Sequence, residues 1–142
     1  SCLNFPTIIN AIKEYWFGQK GSFEKFVPKG NTPSQIDAVV GAAFLITSKA
    51  IKEIGLLNES YFMFFEDIDY CRRLKPRLKV YYLPSSEVIH YHGASGRVLA
   101  ESKDQWRRLI PSSKIYHGIF KHYIISFILW SGQKWLKLLG RN

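Results

Sequence analysis

Apolar residues fall into a succession of distinct patterns along the chain. Ile8, Ile9, Ile12 and Trp16 recur at helical spacing behind Pro6, with Lys13 and Glu14 between them and Gly18 beyond. This predicts an amphipathic helix with proline in its first turn. Gly18, Gly21, Pro28, Gly30, Asn31 and Pro33 then crowd the next stretch, which reads as a surface loop, either loose or covering something. Asp37 to Thr47 is a nearly continuous apolar run with small residues at its centre, the pattern of a strand buried on both faces. A short helix is expected next, capped by Ser48, with Ile51 and Ile54 on one face and Gly55 as its stop. Leu56 to Ser60 is read as a turn.

Tyr61 to Phe65 leads directly into Glu66, Asp67 and Asp69, and a helix is predicted from there to Leu74. Lys79–Leu83 and Glu87–Tyr91 are rich in Val, Ile and Tyr and read as strands, followed by a small-residue loop from Gly93 to Gly96. Val98 to Ile110 could form a further helix, which Pro111 is expected to separate from a last helical segment, Ser113 to Leu139. Its longest apolar stretch, Tyr123 to Trp130, has 8 residues with Ser126 inside it. That is short of the ~20 needed to span a bilayer. Trp130 and Trp135 beside Lys134, Lys137 and Arg141 suit a helix lying in the headgroup region, and they suit equally a terminal helix packed on its own domain.

Composition narrows the class. In 142 residues, 46% are hydrophobic and 22% charged, which is enough apolar surface for one ordered core and rules out disorder along the whole length. Cys2 and Cys71 are too few for a disulfide framework or a four-cysteine zinc site, so a reducing compartment is expected. The net charge of +9 is uneven: residues 1–96 carry 11 basic and 9 acidic side chains, residues 97–142 carry 9 and 2. The basic tail could meet nucleic acid, anionic lipid or an acidic ligand, and charge alone does not choose.

Three groups could carry chemistry. Glu66, Asp67 and Asp69 followed by Arg72 and Arg73 place acids in the first turn of a helix and bases in its last, worth roughly 0.3–1 kcal/mol each through the helix dipole. The same adjacent carboxylates, behind a bulky apolar run, could instead supply a general base and a group that orients it. His90 and His92 would point to one face of a strand, where both could meet a metal or a phosphate. Asp37 precedes the small residues Gly41, Ala42 and Ala43, which would let a ligand or another strand approach closely, or it is simply an acid at a strand entrance. His117 and His122 have no informative spacing, and Cys71 reads as a small apolar helix residue.

Taken in order, these segments resemble the C-terminal half of an inverting family 2 glycosyltransferase of the rhamnosyltransferase-like kind. Asp37 to Ile46 is similar to the acceptor-side strand of that family, and Ile54 to Glu59 resembles its "GGFDE" turn with Asn58 in place of the usual Asp. Tyr61 to Leu74 looks like its "ED" helix, and Val88 to Ser95 like its histidine-containing strand and loop. The resemblance implies an α/β fold, the C-terminal portion of a GT-A (nucleotide-diphospho-sugar transferase) fold, with an incomplete sheet and flanking helices. It divides the chain into an acceptor-side catalytic portion, residues 1–110, and a basic amphipathic helical segment, residues 111–142.

The implied activity is transfer of a sugar, rhamnose being one option, from a nucleotide-diphosphate donor to an acceptor hydroxyl with inversion, in bacterial cell-surface polysaccharide synthesis. On this resemblance Asp67 is the general base with Glu66 as its neighbour and alternate, and Asp37, Gly41, Ala42 and Asp69 contact substrate. His90 and His92 would help hold a divalent metal, Mg or Mn, at the donor diphosphate. A lipid-linked or saccharide acceptor, peripheral contact with the inner face of the plasma membrane, a cytoplasmic location and self-association follow as expectations; nucleic acid does not. The family's nucleotide-binding half and its Asp-x-Asp motif have no counterpart before Asp37, and the first residue is Ser1, so the chain is expected to be a fragment, inactive or nearly so alone. The competing reading is a small basic membrane- or nucleic-acid-binding module without enzymatic activity, and a third is a metal-binding structural domain.

Overall fold

The computed structural model describes residues 1–91 and 105–140. The architecture is mixed α/β. Among the described residues two antiparallel strand pairs are flanked by helices. β1 (Cys2–Leu3) pairs with β3 (Ala38–Val39), Cys2 opposite Val39, and β2 (Ser34–Ile36) pairs with β4 (Val80–Tyr82), Gln35 opposite Tyr81.

The first helix, α1 (Ile8–Tyr15), forms where the apolar period predicts it, with the Thr7 hydroxyl accepting from the Asn10 N–H at 3.1 Å. In α2 (Ser48–Ile54) the cap is Thr47 rather than Ser48, its hydroxyl accepting from the Ala50 N–H at 3.2 Å. Both residues are cap formers, and the extended backbone of Thr47 decides between them. α3 (Glu66–Leu74) has the predicted bounds, with its acids in the first turn and Arg72 and Arg73 in the last.

Three expectations are corrected. The run from Asp37 to Thr47 is not a doubly buried strand: only Ala38 and Val39 pair, and Gly41–Ala43 turn into an exposed 3-10 helix. Small side chains there have little surface to bury, and the Gly41 N–H is taken by the Asp67 carboxylate instead of a neighbouring strand. Residues 87–91 form no strand and are exposed; extended residues without a partner strand have no ladder to join. Pro111 does not break the chain. α4 (Gln105–His117) runs through it, across the expected 110/111 boundary, and the turn comes at Gly118, whose φ of 77° suits glycine, before α5 (Ile119–Leu138). The Ser112 hydroxyl, donating to the Met63 carbonyl at 2.6 Å, holds α4 in place just beyond the proline.

Among the described residues the core has three parts. Ala38, Tyr61, Ile68, Cys71 and Tyr116 join α3 to β3 and α4. Ala50, Tyr70 and Leu74 join α2 to α3, and Ala11, Ile125 and Ile128 join α1 to α5. Gly132 lets α5 approach so closely that an added Cβ would stand 2.6 Å from the Tyr15 Cβ. The terminal helix is therefore packed on its own domain along one face. The loop after α1 is ordered by a buried acid: Glu14 accepts from the backbone N–H groups of Gly21, Phe23 and Glu24.

Candidate active-site cleft

A cleft of about 540 Å³ lies between the start of α3 and the α4–α5 pair. Met63 to Ile68 form one wall, Gly41 and Ala42 adjoin them, and His117, His122, Ile125 and Leu129 come from the opposite helices. Phe23 and Lys25, from the loop that Glu14 orders, and His90 complete the lining that concerns chemistry. Part of that loop therefore borders the cleft.

The backbone entering α3 is strained. Phe64 and Phe65 have φ of 66° and 68°, the left-handed region that bulky residues avoid at a cost of about 1–3 kcal/mol each. The strain is held by packing: the Phe65 ring lies tilted against Tyr116, centroids 5.2 Å apart, and edge-on to His117 at 5.6 Å. Consequently Glu66 and Asp67 start the helix at the cleft wall. The Asp67 carboxylate is fixed by two backbone donors, Gly41 N–H to Oδ2 at 2.6 Å and its neighbour Ile68 N–H to Oδ1 at 2.7 Å. A Cβ at Gly41 would lie 3.3 Å from Asp67 Oδ2, so glycine permits this approach. Glu66 differs: its Oε2 is buried and meets no hydrogen-bond partner among the described residues. Burial, supported by the Asp67 charge, pushes its carboxyl above the usual range, against the opposing pull of its own backbone N–H.

Asp69 turns the other way. It is 4% exposed and holds Arg72 at 2.9 Å and Arg73 at 3.0 Å. Arg73 in turn donates to the carbonyls of Ile54 and Leu56, and Arg72 to that of Tyr116, so the network ties α3 to the turn after α2 and to α4. Asp69 is outside the cleft lining. Asp37 is outside it too: it pairs with Lys75 at 3.2 Å and borders a smaller hollow with Asn4, Phe26 and Pro28. Of the expected site residues the fold brings Glu66, Asp67, Gly41, Ala42 and His90 to one cleft. His92 lies outside the described residues.

The opposite wall contains groups that sequence spacing had left without meaning. His117 is driven down to about 4 by burial first and then by His122, Arg72 and Lys121, so it is neutral at pH 7. His122 is lowered too, by burial and by Lys114, and its Nδ1 shares a hydrogen bond of 2.8 Å with the Ser113 hydroxyl. The only signal for them in the sequence is polar residues within otherwise apolar helical stripes. Among the described residues no three His, Cys, Asp or Glu side chains cluster closely enough to hold a metal ion. The described residues therefore do not by themselves fit a divalent cation.

Two curated proteins are similar to this chain. Rhamnosyltransferase WbbL of Escherichia coli (strain K12) is 26% identical over 109 residues, covering 75% of this chain and 40% of the relative. The low-salt glycan biosynthesis hexosyltransferase Agl10 of Haloferax volcanii is 38% identical over 40 residues, 28% of this chain and 13% of that protein. The chain thus spans less than half the length of either relative, and its similarity is to glycosyltransferases as a class. No family model and no solved structure matches it.

Proposed function

We propose that this chain is the acceptor-side portion of a glycosyltransferase, in which the cleft binds the acceptor and Asp67 removes the proton from its attacking hydroxyl. One observation carries the reading: a carboxylate held by two backbone N–H groups at a cleft wall, behind a strained aromatic turn, on a chain similar to two sugar transferases. Fixed orientation is what a general base requires, and Asp67 retains lone pairs beyond those that its two donors occupy. Glu66, next to it and partly desolvated, sets the local field through its own protonation.

On this proposal the donor is a nucleotide-diphosphate sugar, rhamnose or another hexose as in the relatives' names, and the hydroxyl attacks the sugar carbon as the nucleotide leaves from the opposite face. One base suffices for such an inversion. A divalent metal at the diphosphate would take its main ligands from outside the described residues, with His90 in reach of the same cleft. Neutral His117 would offer a hydrogen bond to a sugar hydroxyl without adding charge.

The test is transfer of labelled sugar to acceptor by the complete gene product. Asp67→Asn should lower kcat by about 10²–10⁴-fold, the usual worth of a positioned base. Glu66→Gln should cost less and shift the pH profile. If the two losses come in the opposite order, the base is Glu66; if both variants transfer normally, the proposal fails.

A further inference from the structure

α5, which lines the cleft, has a second face that is exposed among the described residues. Along α5, Ile119, Tyr123, Phe127, Trp130 and Leu138 recur every three or four residues, with Lys134 filling the gap in the series. All are exposed, Phe127 at 62% and Trp130 at 56%, while Ile125, Ile128 and Gly132 on the opposite side are buried against α1. A packed terminal helix explains the buried face. It leaves the aromatic one without a reason.

Charge identifies what the aromatic face suits. From Gln105 to Gly140 the two helices hold six Lys and Arg and no Asp or Glu. Three of the lysines flank the aromatic series: Lys114 lies 5.1 Å from the Tyr123 ring and Lys134 4.2 Å from the Trp130 ring, with Lys137 in the last turn. Apolar rings ringed by ammonium groups match the boundary of a lipid layer, where rings enter below the headgroups and lysines stay among anionic phosphates. A second copy of this chain fits badly, since a symmetric contact would press like charges together. Bases of a nucleic acid fit badly too, because Ile119 and Leu138 share the stripe and offer nothing to stack upon. Among the described residues no helix is long and apolar enough to cross a membrane, so the contact would lie in the plane of the surface.

We propose that the Ile119–Leu138 aromatic face of α5 docks on an anionic bilayer surface. The inference stands on helix, charge and exposure, and it holds whether or not the cleft transfers sugar. The same helix lines the cleft with Ser126 and Leu129, so docking would set the cleft beside the lipid surface.

The experiment is sedimentation of the full chain with phosphatidylcholine vesicles and with vesicles rich in phosphatidylglycerol. Binding should favour the anionic vesicles and weaken as salt rises. The combined variant Lys114→Gln, Lys134→Gln, Lys137→Gln should bind about a hundredfold less tightly, roughly fivefold for each lysine near the surface. Phe127→Ser with Trp130→Ser should also abolish most binding. Lys134, Lys137, Phe127 and Trp130 are exposed and Lys114 is half-buried, so an unchanged circular dichroism spectrum is the control that the variants still fold. Failure to bind anionic vesicles at low salt overturns the proposal, as does binding that neither variant alters. Loss with the lysine variant but full retention with the aromatic one would mean adsorption by charge alone and would also overturn it. So would a concentration-dependent dimer that the aromatic variant dissolves.

Discussion

α3 and α5 share one cleft and are held in opposite ways. α3, of 9 residues, is fixed by directional polar contacts: Asp67 to the Gly41 N–H, and Asp69, also in the first turn, to the two arginines of the last. α5, of 20 residues, is held chiefly by close apolar approach to α1; the Ser113–His122 bond ties it to α4, while the Ser126 and Ser131 hydroxyls bond the carbonyls of their own helix. Directional bonds fix where an atom stands, whereas apolar contact fixes only how near a surface lies. The helix that carries the acid pair has the first kind of support, and the helix with an uncovered second face has the second.

The sharpest way to break this contrast is Asp69→Ala. It leaves Arg72 and Arg73 without their shared carboxylate and loosens their grip on the Ile54, Leu56 and Tyr116 carbonyls. Stability should fall by about 3 kcal/mol, the low end for a broken buried pair because both arginines are partly solvated. Urea unfolding measures it, and a loss below ~1 kcal/mol would mean that packing, not ion pairing, holds α3. Gly132→Ala attacks the other kind of support. Its Cβ would overlap Tyr15 backbone and side chain, so α5 must shift, at a cost of about 1–3 kcal/mol in thermal unfolding. A neutral result would show that the α1–α5 contact yields easily.

The last effect is a pH dependence. The folded His117 imidazole sits at about 4 against an ordinary 6.5, so between those values the unfolded chain binds more protons. Its contribution is fully present above pH 6.5 and is lost as pH falls towards 4. His122, also lowered, acts with the same sign; Glu66, raised, opposes it at the acid end by favouring the protonated folded form. Replacing His117 by Gln should flatten the slope of unfolding midpoint against pH in this window, and an unchanged slope would place its origin elsewhere.

Local patterns foretold α1, α2 and α3 well but misplaced the break between α4 and α5, which falls at Gly118 and not at Pro111. The spacing of Ile8, Ile9 and Ile12 and the acid-to-base order of Glu66 to Arg73 were enough for α1 and α3, because helix hydrogen bonds join residues four apart and local sequence controls them. The strands were harder. Residues 37–47 and 87–91 have strand composition, but strand existence depends on a partner distant in sequence, and the small residues at Gly41 to Ala43 took a turn once Asp67 claimed a backbone donor. The acid pair was visible in the sequence. Its companions His117, His122 and Ser113 were not, since nothing in their spacing announces that a turn at Gly118 will bring them to one wall.

Sequence by itself determined the helical periods, the acid pair at a helix start, the excess of cations after residue 96 and the lack of a bilayer-spanning run. Tertiary structure alone decided that Asp67 is held and Asp69 paired away, that Asp37 faces a different hollow, and that α5 buries one apolar face and leaves the other open. The reason is the range of the forces. Propensity and charge order act within a turn or two, while a cleft exists only where segments that are tens of residues apart meet.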